Sequence, residues 1–251
     1  MKFLLGQIIV PNNIFSGIKG RSYADNATMH ISTERKHLFK IDFTAFFPSI
    51  SRETVYSFFF KDLCCSPDVA EILANLTTID LEKSRANSLD EIYSFLDAKG
   101  VSCNNHLISG APTSQIMSYL VNHHMFDEMQ KVADDTGAIM TVYVDDITFS
   151  SENRISKRFR EQIFAIVRKY GYQISRSKVK KYTKSYPKLV TGVIIDSTGK
   201  PAIKNSMHEK IIHEFYHLQG HPEDEKSRQR LRGLLTAARQ VKKHAFPSIY
   251  N

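Results

Sequence analysis

Tyr143-Val144-Asp145-Asp146 decides how this chain is read. Two adjacent carboxylates sit between apolar β-formers, with Thr141-Val142-Tyr143-Val144 before them and Ile147-Thr148-Phe149 after. Both flanks read as short strands, which puts the aspartates at or near a tight hairpin turn. Like charges held this close repel each other unless a cation sits between them. Oxygen-only ligands suit a hard cation such as Mg2+ or Mn2+. Asp-Asp is also an ordinary polar turn, and the dipeptide taken alone favours that reading. Asp134-Asp135, a little earlier, reads as a helix exit.

A third carboxylate shifts the balance. Leu38-Phe39-Lys40-Ile41-Asp42 reads as a strand that ends on an acid, followed by Phe43-Thr44-Ala45-Phe46-Phe47-Pro48-Ser49-Ile50. An ionised acid in so apolar a segment needs a compensating charge. Alone, Asp42 is equally a helix cap. Together with the later strand-Asp-Asp-strand it supplies the third carboxylate of a two-metal site, the arrangement that nucleotidyl transfer needs.

These stretches resemble a known family. Residues 42–50 resemble the first catalytic motif of reverse transcriptases, and residues 143–146 their Tyr-x-Asp-Asp motif. Between them, Gly110-Ala111-Pro112-Thr113-Ser114 resembles the Gly-x-Pro-x-Ser motif that seats template and incoming nucleotide. Lys178, in Gly171-Tyr172-Gln173-Ile174-Ser175-Arg176-Ser177-Lys178, resembles the lysine motif that follows. Four motifs in family order are a specific match. Asn26-Ala27-Thr28-Met29-His30 resembles the Asn-Ala-x-x-His signature of retron reverse transcriptases, and Val190-Thr191-Gly192 their Val-Thr-Gly signature. Ile18-Lys19-Gly20-Arg21-Ser22 resembles an N-proximal motif of bacterial reverse transcriptases. Read without the family, Asn26 and His30 are a helix start with a partly buried histidine, and residues 190–192 a strand with a bulge glycine. The resemblance covers residues 17–195 by motif and runs more loosely to the C-terminus.

The resemblance implies an α+β fold: a polymerase palm, that is a split βαβ antiparallel sheet backed by helices, with reduced fingers and a helical C-terminal thumb. It divides the chain into partial fingers at 1–37, a palm with inserted helices at 38–188, and a strand hairpin with the thumb at 189–251. It implies RNA-directed DNA synthesis from a structured non-coding RNA and deoxynucleoside triphosphates, giving a small RNA-linked DNA used in phage defence. Asp42, Asp145 and Asp146 are the implied ligands of two Mg2+ ions, with Mn2+ as the alternative, and Lys178 the implied general acid or phosphate contact. Phe43, Phe47, Gly110, Ala111 and Pro112 are the implied nucleotide contacts, Phe47 as the ring that excludes a ribose 2′-OH while Phe46 turns to the core. Arg21, Asn26, His30, Lys180, Lys181, Lys184, Val190, Thr191 and Gly192 are the implied RNA contacts. Other bacterial lineages, abortive-infection or group II intron-like, are the rival enzymes. A degenerate palm that only binds RNA is the rival of another class.

Two departures stand out. Leu107-Ile108-Ser109 precedes the motif glycine where the family has Leu-Pro-Gln, so the glutamine that touches the nucleotide is missing. Only sixteen residues precede Gly17, and none matches the fingers strand that holds the triphosphate. The expectation is reduced fingers, fingers supplied by an effector protein or other chain, or a start placed too late. The chain alone is expected to synthesise DNA poorly.

Composition agrees. The chain has 251 residues, a net charge of +8 and a pI near 9.3, which suit a sizeable core and a polyanionic partner. Residues 154–188 hold twelve Lys or Arg against one acid, Glu161, so this stretch reads as a phosphate-contacting surface. Tyr172, Tyr182 and Tyr186 lie within it as candidate stacking partners, while Tyr170 reads as core. Three cysteines, two of them adjacent, make no zinc spacing or disulfide framework and suit a reducing cytoplasm. No apolar run approaches membrane-spanning length.

The remaining periodicities predict helices. Ser66-Pro67 opens one with Val69, Ile72, Leu73 and Leu76 facing in. Residues 77–87 read as a polar loop. Ser88-x-x-Glu91 reads as a capping box. One long helix follows Pro112, with Met117, Val121, Met125, Met129 and Val132 as its stripe and His123 and His124 in its middle, without a ligand partner. Residues 189–196 read as one strand with a hairpin at 197–199. Ser206-x-x-Glu209 caps a helix, and a last helix carries Leu231, Leu235 and Ala238 inward with Arg232, Arg239 and Lys243 on the other face.

Overall fold

The structure is a computed structural model and describes residues 2–32, 34–85 and 88–249. In chain order it comprises α1 (Lys2–Leu5), α2 (Tyr23–Thr28), β1 (His37–Asp42), α3 (Arg52–Ser57), a π-helical turn (Phe58–Asp62), α4 (Pro67–Thr77) and β2 (Thr78–Asp80). Then come α5 (Leu89–Ala98), β3 (Asn105–Leu107), α6 (Ser114–Leu120), α7 (His123–Asp134), β4 (Ile139–Tyr143), β5 (Asp146–Ser151) and α8 (Lys157–Lys169). The chain closes with β6 (Lys180–Tyr182), β7 (Lys188–Val190), β8 (Val193–Ile195), β9 (Pro201–Ile203), α9 (Asn205–Gly220) and α10 (Glu225–Val241). No helix among the described residues is long and apolar enough to cross a membrane.

The central sheet is antiparallel, in the order β4-β5-β1-β6. Its core is aromatic. Phe39 of β1 stacks on Phe149 of β5 with ring centres 5.9 Å apart, and both meet Phe159 of α8 edge-on. Helix α8 covers this face because Phe159, Ile163 and Val167 recur every four residues and are all buried. Ser156 caps it by accepting from the Phe159 amide at 3.0 Å. Helix α7 packs on both α8 and β4 through Met125, Phe126, Met129 and Ala133. This is the α+β arrangement of a helix-backed antiparallel sheet. A separate apolar cluster of Ile211, Leu231, Leu235 and Ala238 holds α9 against α10.

Several local expectations are corrected. Helix α4 begins at Pro67 with Ser66 as its cap, but it buries Ala70, Ala74 and Thr77 and leaves Val69, Ile72 and Leu76 exposed. Helix α4 packs against α3, and Arg52 of α3 bridges the two by donating from Nε to Asn75 and pairing with Glu71. Part of the expected 77–87 loop is strand β2, which pairs with β3. Ser88 and Ser206 make no capping bond; α9 starts at Asn205 after Lys204.

The single long helix is two. Buried Asn122 separates α6 from α7: its amide donates to the Ser118 carbonyl at 3.0 Å and its oxygen accepts from the Tyr172 hydroxyl at 2.8 Å. A side chain that binds the backbone in this way competes with the helix. The expected 189–196 strand is likewise a hairpin, β7 to β8, turning at Thr191-Gly192 with φ of 43° and 90°. Two consecutive left-handed residues make the turn type that matches strand twist, and glycine takes the second place without strain.

Candidate active site

The hydrogen-bond register of the sheet assembles the acids. β1 and β5 pair so that Asp42 stands opposite Asp146, and the β4–β5 turn sets Asp145 beside it. The Phe43 amide donates to the Asp145 carbonyl at 3.1 Å, and the Ser175 amide donates to the Asp42 carbonyl at 2.8 Å. Val144 holds φ at +58°, a left-handed conformation that costs a β-branched residue about 1–3 kcal/mol. The ladders on either side of this two-residue turn offset that strain and fix where Asp145 projects.

Two lysines answer the acids. Lys178 Nζ donates to Asp42 at 2.7 Å from the short 3-10 turn Arg176–Lys178, and Lys40 Nζ donates to Asp146 at 2.7 Å. Lys40 is absent from the family-derived set, yet strand alternation reveals it: residues 40 and 42 share one face of β1. Burial pushes the Asp145 carboxyl up, and Asp42 pushes it further. Burial also raises Asp146, outweighing the opposing Lys40. The hydrogen bond to Asp42 raises Lys178. Three carboxylates thus face two ammonium groups in a partly buried setting. Its donors are hard carboxylate oxygens, which fit Mg2+ or Mn2+.

The other expected residues are distributed as follows. Phe43 is buried against Phe46, Phe126 and Tyr172, which leaves its backbone for a ligand. Phe46 is buried, and half-buried Phe47 stacks on it at 6.4 Å. Gly110, Ala111 and Pro112 form the turn before α6, with Gly110 and Pro112 exposed and Ser114 anchoring the turn by donating to the Ile108 carbonyl. Lys180 and Lys181 are exposed on edge strand β6, and Lys184 is half-exposed. A cleft of about 640 Å³ is lined by Phe164, Arg168, Arg176 and Lys181 among others, and none of the three aspartates lines it. Lys188, counted with the basic surface, is buried and donates to the carbonyls of Lys184 and Tyr186. Tyr172 is buried too, so it is no stacking partner.

Of the expected RNA contacts, Asn26, His30 and Val190 are buried, and Arg21 is bonded within the chain. Arg21 spends its guanidinium on the carbonyls of Pro11, Ile14 and Val10. Asn26 is buried and donates to Thr191 at 3.1 Å, while Thr191 donates to the Tyr23 carbonyl at 3.0 Å. The two signature triplets thus meet and tie α2 to the β7–β8 turn. Val190 is core, and only Thr191 and Gly192 keep surface there. His30 is buried between Ser150 at 2.7 Å and Thr141 at 2.8 Å.

Burial lowers the His30 pKa to about 3, with Lys36 and Lys40 adding to the effect. Because the folded value lies below the ordinary one, this contribution to stability is full above about pH 6.5 and is lost as pH falls toward 3. The expected loss is roughly 2 kcal/mol by about pH 5. His30→Gln should flatten that limb of a urea-midpoint against pH curve, and superimposable curves would refute the assignment.

Comparison with known proteins places the chain in a family. Residues 4–204 match the family model described as reverse transcriptase (RNA-dependent DNA polymerase). The chain is 24% identical over 181 residues to Retron Se72 reverse transcriptase of Salmonella heidelberg (strain 579083-10), covering 70% of this chain and 41% of that one. It is 26% identical over 221 residues to Retron Mx65 reverse transcriptase of Myxococcus xanthus, covering 85% and 50%. It spans about half the length of these curated relatives. Among solved structures, apo telomerase from Candida Tropicalis aligns with a TM-score of 0.48 at 15% identity, over 77% of this chain and 37% of that one. The chain belongs to the reverse transcriptase (RNA-dependent DNA polymerase) family and resembles its retron members.

Proposed function

We propose that this chain is the catalytic core of a retron-type RNA-directed DNA polymerase. The observation that carries the reading is the sheet register, which sets Asp42 opposite Asp146 with Asp145 in the adjoining turn, all three partly buried. These three side chains, with the Phe43 carbonyl, would hold two Mg2+ ions. Bound there, the ions would activate the attacking oxygen and neutralise the leaving pyrophosphate. The protein's part is to hold the carboxylates in register and to orient the nucleotide against the turn at 110–112. Phe47 would test the sugar for a 2′-OH. Lys178 would keep its proton on Nζ and present it to phosphate oxygen as negative charge develops there. The template and primer would be a structured non-coding RNA and the product a small RNA-linked DNA. A phage-defence role and an effector protein follow from the retron resemblance alone.

Copurified nucleic acid, sequenced and then extended with deoxynucleotides, tests the reading. A single structured RNA that templates its own DNA is the expected result. Intron or unrelated RNA would favour another bacterial lineage, and RNA that is bound but never copied would favour a pure binder.

Reversing the charge of Lys180, Lys181 and Lys184 tests the basic surface. Lys180 and Lys181 are neighbours on a strand and point to opposite faces, so one face holds at most two of the three. The slope of log affinity against log salt should fall by about two, since each lost phosphate contact removes nearly one released counterion. An unchanged slope would make these lysines a merely solvated edge.

A further inference from the structure

Asp62, His123 and His124 form a second cluster that uses none of the polymerase residues. Asp62 ends the π-helical turn, and the two histidines open α7. The sequence places sixty residues between them, so the histidines looked partnerless. Folding brings one ligand atom of each within 4.8 Å of the others. Among the described residues this is the group of three metal-ligating side chains that converges so closely.

The tautomer of His123 is set. Its Nδ1 lies 2.9 Å from the Leu120 carbonyl, and a carbonyl only accepts, so Nδ1 bears the proton and Nε2 presents a lone pair. An imidazole whose second nitrogen donates to a backbone carbonyl is oriented as metal-ligating histidines are. Phe58 meets the same ring edge-on at 6.5 Å, and the His124 ring lies 3.9 Å away. Zinc–ligand distances of about 2.0–2.2 Å bring the donors of one tetrahedral ion to roughly 3–4 Å apart. Asp62 and His124 are exposed, so their side chains are free to rotate toward that spacing. Two imidazole nitrogens and one carboxylate suit a borderline transition-metal ion and not Mg2+, which prefers oxygen.

We propose that Asp62, His123 and His124 bind one Zn2+-class ion, with a position left for water, and that this ion staples the π-helical turn to the start of α7. The site is independent of the polymerase reading, because none of its residues belongs to the acidic triad.

The test is a competition titration of the full, tag-free chain against a chromogenic zinc chelator, with Mg2+ in excess to occupy the triad. Thermal midpoints are read alongside. One Zn2+ per chain and a raised midpoint are expected. D62A and H124A should each weaken zinc binding at least about tenfold and abolish the thermal shift. Both residues are exposed, so circular dichroism should match the parent. The other histidine pair, His217 and His221 at ring centres 4.8 Å apart, serves as the control. The variant H217A/H221A should bind zinc as the parent does. Zinc binding that survives D62A and H124A unchanged, or that is lost only in H217A/H221A, or that Mg2+ displaces, would overturn the proposal.

Discussion

Replacing Asp145 and Asp146 together by asparagine should lower Mg2+-dependent DNA synthesis by roughly a thousandfold or more, because neutral amides cannot hold two divalent ions. The fold should survive the change. Asparagine matches aspartate in size, and its amide oxygen at 146 still accepts from Lys40. RNA affinity should persist, since removing acids near a phosphate backbone cannot weaken Coulomb attraction. Primer extension and a filter-binding titration on the same preparation separate these outcomes. Polymerisation at the parental rate would remove the acidic pair from the mechanism. Loss of RNA binding together with synthesis would point instead to a damaged fold.

Phe47→Ala should raise ribonucleotide incorporation relative to deoxynucleotide by roughly ten- to a hundredfold, the range that one steric contact gives in a shaped pocket. Phe47 opens the 3-10 turn Phe47–Ser49 and is half-buried, so truncation opens space at a surface. Phe46 differs. It is buried against Phe43 and Tyr172, with ring centres 4.7 and 5.3 Å away, and its truncation should cost about 3–5 kcal/mol of stability without changing sugar choice. Competition between paired ribo- and deoxynucleotides, read as a ratio of kcat/KM, measures the effect. A change of sugar preference in Phe46→Ala but not in Phe47→Ala would move the gate by one residue.

The order of local patterns along the chain determined a great deal. Alternating apolar residues around Asp42 and around Asp145-Asp146 gave β1, β4 and β5, and the hairpin between the last two lies where the turn residues put it. The spacing of Phe159, Ile163 and Val167 in the sequence is that of a helix, and α8 buries these three residues. Nearest-neighbour chemistry sets these features, and so they are written in short windows. What needed the tertiary structure is pairing across distance. Lys40 meets Asp146, Asn26 meets Thr191, and Asp62 meets His123 and His124 because the sheet register and helix packing bring them together. The face of α4 is a case in point. Its bulky stripe pattern pointed inward, but the face that packs is the one carrying the small residues Ala70, Ala74 and Thr77. Asn122 breaks the long helix for the same kind of reason, since its partner Tyr172 comes from fifty residues downstream. A single-sequence pattern records which side chains prefer to be buried. Which of them are buried together depends on how closely the backbones approach, and that is settled only when the whole chain packs.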